Sequence, residues 1–246
     1  MNVDMRLKRW VCIALGCLPL LPGCKGTTGS GTYGELGAGT FNYVCINPGD
    51  AVCSGNNAID SFLVRRDLGR SGAIPDAIAV GSVFSLDYEG GSFENDIDRI
   101  VAAHRGDELG AEEFSIEQPA EASFLAVKNF DEVEDFVVVV AKEAVVLKIW
   151  VDEATPEHVQ MQVGETLDVT VASMDEDEHL LGGALPYAWQ SMNARVLGLT
   201  APSNTHVVDA LRNEGDVVLH AKELGASVVR VSSGDLGAEL FVEVKP

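Results

Sequence analysis

Positive charge is scarce in this chain. Lys and Arg number 17 against 38 Asp and Glu, a formal net charge of −21. A surface this acidic repels nucleic acid and anionic membrane faces, which excludes phosphate-backbone binders and polybasic membrane binders. Long apolar runs are also missing. Val11 to Leu21 is uncharged over about 11 residues, where a spanning helix needs about 20. No sustained 3.6-residue periodicity predicts a long helix. Catalytic signatures are lacking too. The five histidines, His104, His158, His179, His206 and His220, form neither H-E-x-x-H nor a paired metal spacing and are expected to be exposed or strand-borne. Gly29-Ser30-Gly31 lacks the strand–turn–helix setting of a nucleophile elbow. No enzyme is expected. Apolar residues, at 46 %, are not scarce, so the acidity does not imply disorder.

What is present begins with an export signal. Arg6, Lys8 and Arg9 form a positive n-region ahead of the apolar stretch, and Pro19 and Pro22 argue against a continuous helix. Leu21-Pro22-Gly23-Cys24 resembles a bacterial lipobox, with Leu21 at −3, the small Gly23 at −1 and Pro22 in place of the usual Ala or Ser. That resemblance implies a signal peptide over 1–23 and lipidation at Cys24. The alternative is an ordinary secretory signal with Cys24 as a bystander. Lys25 is not the Asp that retains many such lipoproteins at the inner membrane, which favours an outer-membrane destination. Of the five cysteines, Cys12 and Cys17 leave with the signal. Cys45 and Cys53 remain as an even pair in an oxidising compartment, predicting a disulfide around Pro48, Gly49 and Asp50.

Residues 24–40, rich in Gly, Thr and Ser, read as a flexible tether. Residues 41–75 read as a disulfide-bearing lead-in, with strands at Phe41–Cys45 and Ser61–Val64. From there the pattern is all-β. Strands are predicted at Val83–Tyr88, Arg99–Ala103, Glu113–Glu117, Ala122–Val127, Phe136–Val140 and Val145–Val151. A second set covers Thr166–Ser173, Tyr187–Gln190, Ala194–Leu199, His206–Ala210, Asp216–Ala221, Ser227–Ser232 and Glu239–Val244. In Val83–Tyr88, for example, Phe84, Leu86 and Tyr88 share one face.

The two sets repeat. Glu113–Val140 falls without gaps on Val217–Val244. Ala122-Ser123, Val127, Asp131, Val138 and Val140 recur as Ala226-Ser227, Val231, Asp235, Val242 and Val244. Upstream, Val80-Gly81 precedes one strand as Val163-Gly164 precedes another. Two copies of one unit are expected, over 76–142 and 143–246.

The second copy resembles the bacterial Ig-like domain, group 2. The resemblance is carried by Val145–Val151, by Val163-Gly164-Glu165-Thr166 leading into Leu167–Val171, and by Trp189-Gln190-Ser191. It continues through Ala194–Leu199, Gly225-Ala226-Ser227-Val228 and Leu240–Val244. It departs around Asn204–Asp216, where this segment is longer than the family's usual turn. The first copy matches only in its second half. The resemblance implies tandem antiparallel Ig-like β-sandwiches of the kind used in adhesins, stalks and accessory modules, with no catalytic residues to carry over.

Acidic clusters are the remaining candidates for chemistry. Asp175-Glu176-Asp177-Glu178 follows one strand, with Asp175, Asp177 and Glu178 as candidate Ca²⁺ ligands. Asp131, Glu132, Glu134 and Asp135 sit in the first copy's hairpin. Neither has EF-hand spacing, and both are expected as solvated loops. Trp189 is expected in a sandwich core, and Trp150 packed near the domain junction. The expected protein is thus a lipid-anchored cell-envelope module, non-catalytic, with a structural, adhesive or protein-binding role. The alternative is an accessory carbohydrate-binding lipoprotein, with or without Ca²⁺. No cofactor is otherwise expected. Its partners would be the membrane, through the lipid, and an envelope protein or glycan, and not nucleic acid.

Overall fold

The computed structural model describes residues 31–45, 49–53, 71–90, 99–110, 112–128, 132–152, 154–202 and 204–246. The signal peptide, Cys24, Asp131 and the expected strand at Ser61–Val64 lie outside them. The first sandwich contains β1 (Thr32–Tyr33), β2 (Gly39–Val44), β3 (Ser71–Gly72), β4 (Ile78–Ala79) and β5 (Val83–Gly90). It is completed by β6 (Arg99–His104), β7 (Asp107–Gly110), β8 (Glu113–Ser115), β9 (Ala120–Lys128) and β10 (Glu132–Lys142). The second contains β11 (Val146–Trp150), β12 (His158–Gln162), β13 (Thr166–Met174), β14 (Ala188–Ser191) and β15 (Leu197–Thr200). Its last strands are β16 (Ala210–Arg212), β17 (Asp216–Ala221), β18 (Gly225–Ser233) and β19 (Leu236–Lys245).

The two sandwiches share one topology. In the first, β2-β5-β8-β7 form one sheet, with β1 and β3 on the outer edge of β2, and β4-β10-β9-β6 form the other. In the second, β11-β13-β17-β15 face β12-β19-β18-β14-β16. Strand for strand, β2, β4, β5, β6, β7, β8, β9 and β10 correspond to β11, β12, β13, β14, β15, β17, β18 and β19. The short β4 and β12 each run parallel to the last strand of their unit, pairing Ile78 with Ala141 and Met161 with Val244. This is the Ig-like arrangement of one ABED and one CFG sheet, with the first strand divided between them.

Alternation of side chains builds each core. In the second, Val229 and Val231 of β18 and Leu240 and Val242 of β19 are fully buried around Trp189. Each such Val or Leu contributes roughly 1.5–3 kcal/mol by leaving water. Trp189 also donates its indole N–H to the Glu214 carbonyl at 2.7 Å. In the first core Phe84 and Phe124 meet edge to face at 5.5 Å between centroids. Ile100 there occupies the position of Trp189: Ile100 pairs with Ala126 and Trp189 with Val231.

Two boundaries differ from expectation. Within 24–40, Thr32–Tyr33 pair with Thr40 and Phe41. The turn between is closed on Asp135, whose carboxylate accepts the amides of Leu36 (2.8 Å), Ala38 (2.9 Å) and Gly39 (3.1 Å). Residues 31–40 are therefore part of the sandwich and not tether. Likewise 41–75 is no separate lead-in, because Phe41 and Tyr43 of β2 are fully buried and β2 pairs with β5 along its whole length. The first unit therefore starts ahead of residue 76, at β1 and β2. The disulfide segment is an insertion between the two halves of that strand.

The repeat is real, but its ungapped alignment is out of register by one residue. The pairs that correspond are Phe124–Val137 with Val229–Leu240, and Ala122–Val139 with Ser227–Val242. Val138, aligned by sequence with Val242, faces outward and is 38 % exposed, whereas Val242 is fully buried. The cause lies in the hairpins. The second turns through Gly234-Asp235, while the first has a three-residue connection and a bulge between Val133 and Asp135. Two extra residues there are shared out by an ungapped alignment as one per strand, and a one-residue slip exchanges the faces of a strand. The upstream match holds: Val80 and Val163 donate to the carbonyls of Lys142 and Lys245 at 2.9 and 3.1 Å. Gly81 and Gly164 follow, both at positive φ.

Candidate functional site

A set of buried polar groups, Tyr43, Asp50 and Asp175 among them, lies where the two sandwiches meet. Strand β13 ends at Met174, and the loop over 175–187 leads to β14. It opens with a tight turn. Asp175 Oδ1 accepts the amides of Asp177 (3.0 Å) and His179 (2.9 Å), and its Oδ2 receives Lys142 Nζ of the first sandwich at 2.5 Å. Asp175 is 2 % exposed. The Lys142 hydrogen bond first, then the two amides, hold its pKa down to about 2. The same contact raises the pKa of Lys142. Charge-assisted bonds to a carboxylate are among the stronger ones a protein makes.

Beyond this turn the loop crosses to the first sandwich. Gly182 donates to Ala77 O (2.9 Å) and accepts from Ala79 N (2.8 Å), and Ala184 exchanges both of its bonds with Val83 (2.8 and 3.0 Å). Gly183 N–H donates to the Tyr43 hydroxyl at 2.8 Å, and that hydroxyl donates to Asp50. Asp50 in turn caps Val52 N at 3.0 Å inside the loop closed by Cys45–Cys53, whose Cα atoms are 5.3 Å apart. The expected disulfide is therefore present, and it braces the joint. Apolar packing crosses as well: Ala77 and Ala79 belong to the second core, and Leu180 packs on the first. Tyr187 is buried beside Asp50, and burial raises its hydroxyl pKa, with the Asp50 charge adding to the effect.

Gly182 and Gly183 were not singled out by the sequence. Gly183 has φ +92, and a Cβ there would lie 1.9 Å from Ser82 Oγ. A Cβ on Gly182 would lie 2.7 Å from Pro75 Cγ. Only glycine leaves room here for the Pro75, Ile78 and Ser82 side chains. The Gly-Gly dipeptide inside a long inter-strand loop was the available signal.

Within the acidic clusters Glu132, Glu176, Asp177 and Glu178 are exposed as expected, and two members depart from the expectation of solvated loops. Asp175 and Asp135 are both buried, each spent on backbone amides. Glu134 pairs with Lys128. Two of the Ca²⁺ candidates, Asp175 and Asp177, together with His179, bring one ligand atom each within 4.8 Å of one another. Glu178 does not join them; its carboxylate meets Lys148 Nζ at 2.8 Å. A cation at Asp175 would have to displace Lys142. Trp189 is in the core, and Trp150 is half-buried on β11. His220 is strand-borne, with Nε2 2.9 Å from Thr200 Oγ1. Among the described residues no helix is long and apolar enough to cross a membrane.

No family model matches this chain, and no curated protein does. Solved structures do. Domains 4 and 5 of the S-layer protein SbsC are 16 % identical, over 54 % of this chain and 69 % of that one, with a TM-score of 0.31. The Escherichia coli adhesin FdeC is 14 % identical, over 70 % of this chain and 62 % of that one, with a TM-score of 0.32. A family 2 glycosyl hydrolase from Bacteroides cellulosilyticus is 9 % identical, over 82 % of this chain and 28 % of that one, with a TM-score of 0.33. This chain thus spans less than two thirds of the adhesin and of the hydrolase. It is Ig-like by its own strand order and register.

Proposed function

We propose that this protein is a non-catalytic contact module of the bacterial cell envelope. In this reading it is anchored by lipid on Cys24, in the outer membrane, and its second sandwich is of the group 2 bacterial Ig-like kind. The observation that carries the reading is the joint. Two sandwiches are tied by backbone bonds across Gly182–Ala184, an ion pair and a disulfide-braced loop, which suits a stiff projecting element better than a mobile catalytic assembly. Ordinary tandem domains move relative to one another unless such an interface holds them. Fatty-acid labelling of the wild type and of Cys24→Ala in the native host tests the anchor, with label expected on the first only. Pull-down from the envelope tests the contact. Recovery of the chain without any envelope component would count against the reading.

A second reading, an accessory carbohydrate-binding protein, is favoured by an exposed aromatic. Phe241 on the outer face of β19 is 42 % exposed and meets the His158 ring at a tilt of 50°, with 5.1 Å between centroids. A glycan array with and without Ca²⁺ tests it; silence in both conditions would remove it.

A further inference from the structure

The outer face of the second sandwich carries a groove whose charge opposes that of the whole protein. It lies across the three strands β16, β14 and β18, with a volume of about 270 Å³. Register explains its shape. Arg212, Ala188 and Ser232 form one row across the three strands, and Ala210, Gln190 and Arg230 form the next. Trp189 and Val231 between them point into the core, so the six named side chains all face outward. Ala188, Ala210 and Ser232 are small and leave the depression. Gln190 stands at its centre, and the two arginines stand at opposite corners.

The signs are unusual for this chain. With 38 acidic residues against 17 basic ones, a groove lined by two arginines and no carboxylate is an inversion of the surface as a whole. Arg230 is braced from the far side, its guanidinium donating to Glu239 Oε1 at 2.8 and 2.5 Å. Arg212 makes no ion pair among the described residues, and its planar donors are available to an incoming anion. Guanidinium groups match carboxylates in a two-pronged geometry. Gln190 and Ser232 add donors and acceptors for hydroxyls. The floor offers no deep apolar pocket for a side-chain anchor, and the volume falls just below the roughly 300–1,000 Å³ of drug-sized sites. The occupant that fits is flat, hydroxyl-rich, negatively charged and about one ring unit in size.

We infer that this groove binds a carboxylate-bearing sugar, a uronic acid unit of an acidic glycan, with Arg212 as its principal anion contact. The inference rests on the carbohydrate-binding reading and adds the sugar's charge and the residues that select it. It needs neither Ca²⁺ nor Phe241.

The test is titration of the full chain, in detergent, with oligosaccharides of galacturonate, glucuronate and mannuronate, and with neutral galactose and glucose oligomers. At least one uronate series is expected to bind while its neutral counterpart does not. Arg212→Ala, on an exposed side chain, should weaken that binding about tenfold or more, and Arg195→Ala, outside the groove, should leave it unchanged. Added salt should weaken it as well. Uronate binding unaffected by Arg212→Ala would overturn the assignment. So would binding of neutral sugars alone, though this would leave the carbohydrate reading standing. No binding of any sugar would remove both.

Discussion

Replacing Gly183 by alanine should separate the two sandwiches thermally while leaving each core intact. Two costs add. The position has φ +92, and placing a residue with a Cβ in the left-handed region costs about 1–2 kcal/mol. The Cβ would also sit 1.9 Å from Ser82 Oγ and 2.7 Å from Ser82 Cβ. Rotating the hydroxyl away relieves only the first contact and breaks its 2.6 Å bond to Ala79 O. Backbone must therefore move, and overpacking of a buried site costs about 1–3 kcal/mol. The movement strains the bonds of Gly182, Gly183 and Ala184 to Ala77, Ala79, Val83 and Tyr43. A loss of roughly 2–5 kcal/mol lowers Tm by about 5–15 °C for a chain this size. Scanning calorimetry should show one transition for the wild type and two for the variant. Gly164→Ala is the control. Its φ is +89, but nothing lies within 4 Å of the added Cβ. It should shift Tm by about 2–8 °C, the cost of backbone strain alone, without dividing the transition. Equal effects of the two substitutions, or an undivided transition in Gly183→Ala, would refute the reasoning.

Other consequences can be checked by similar means. The Asp175 carboxylate has a depressed pKa of about 2, so its stabilisation is complete above its unfolded value of about 3.9 and is lost as pH falls through 2. The gap between wild type and Asp175→Asn in urea unfolding should therefore be full at pH 6 and close progressively below about pH 4. Replacing Cys45 and Cys53 by alanine removes a bond spanning a sequence separation of 8, which should cost roughly 2–3 kcal/mol. Dithiothreitol should lower Tm for the wild type and leave the double variant unchanged. Trp189→Ala should cost about 3–5 kcal/mol, melting the second sandwich first, and Ile100→Ala should do the same to the first at about 2–5 kcal/mol; tryptophan fluorescence and near-UV dichroism distinguish the two.

Much of the fold was legible because alternation is a local signal. Phe84, Leu86 and Tyr88, or Leu240, Val242 and Val244, declare a buried face within five residues, and all six are buried. The core Trp189 and the Cys45–Cys53 bond were legible for the same reason: residue type alone points to them. Register across the repeat was not legible. Phe136 to Val140 is apolar on both faces, so matching apolar positions cannot tell Val137, which is buried, from Val138, which is not. The two-residue β4 is too short for a pattern, β7 is exposed throughout and β12 buries only Met161, so no buried face shows in them, and β16 shares only Ala210 with the expected strand at His206–Ala210. The joint was invisible because its key contacts are made by backbone groups and by glycines, far apart in sequence. Residues Asp135 and Asp175 read as solvated because an acidic run looks alike whether its carboxylates meet water or amides.

Amide hydrogen exchange at the joint tests the central claim most directly. Ala79, Val83, Gly182, Gly183 and Ala184 donate their amides across it. If the two sandwiches are one locked unit, these amides should exchange as slowly as those of Val169 and Val242 in the second core. Exchange at the rate of an open loop, with both cores still protected, would contradict it.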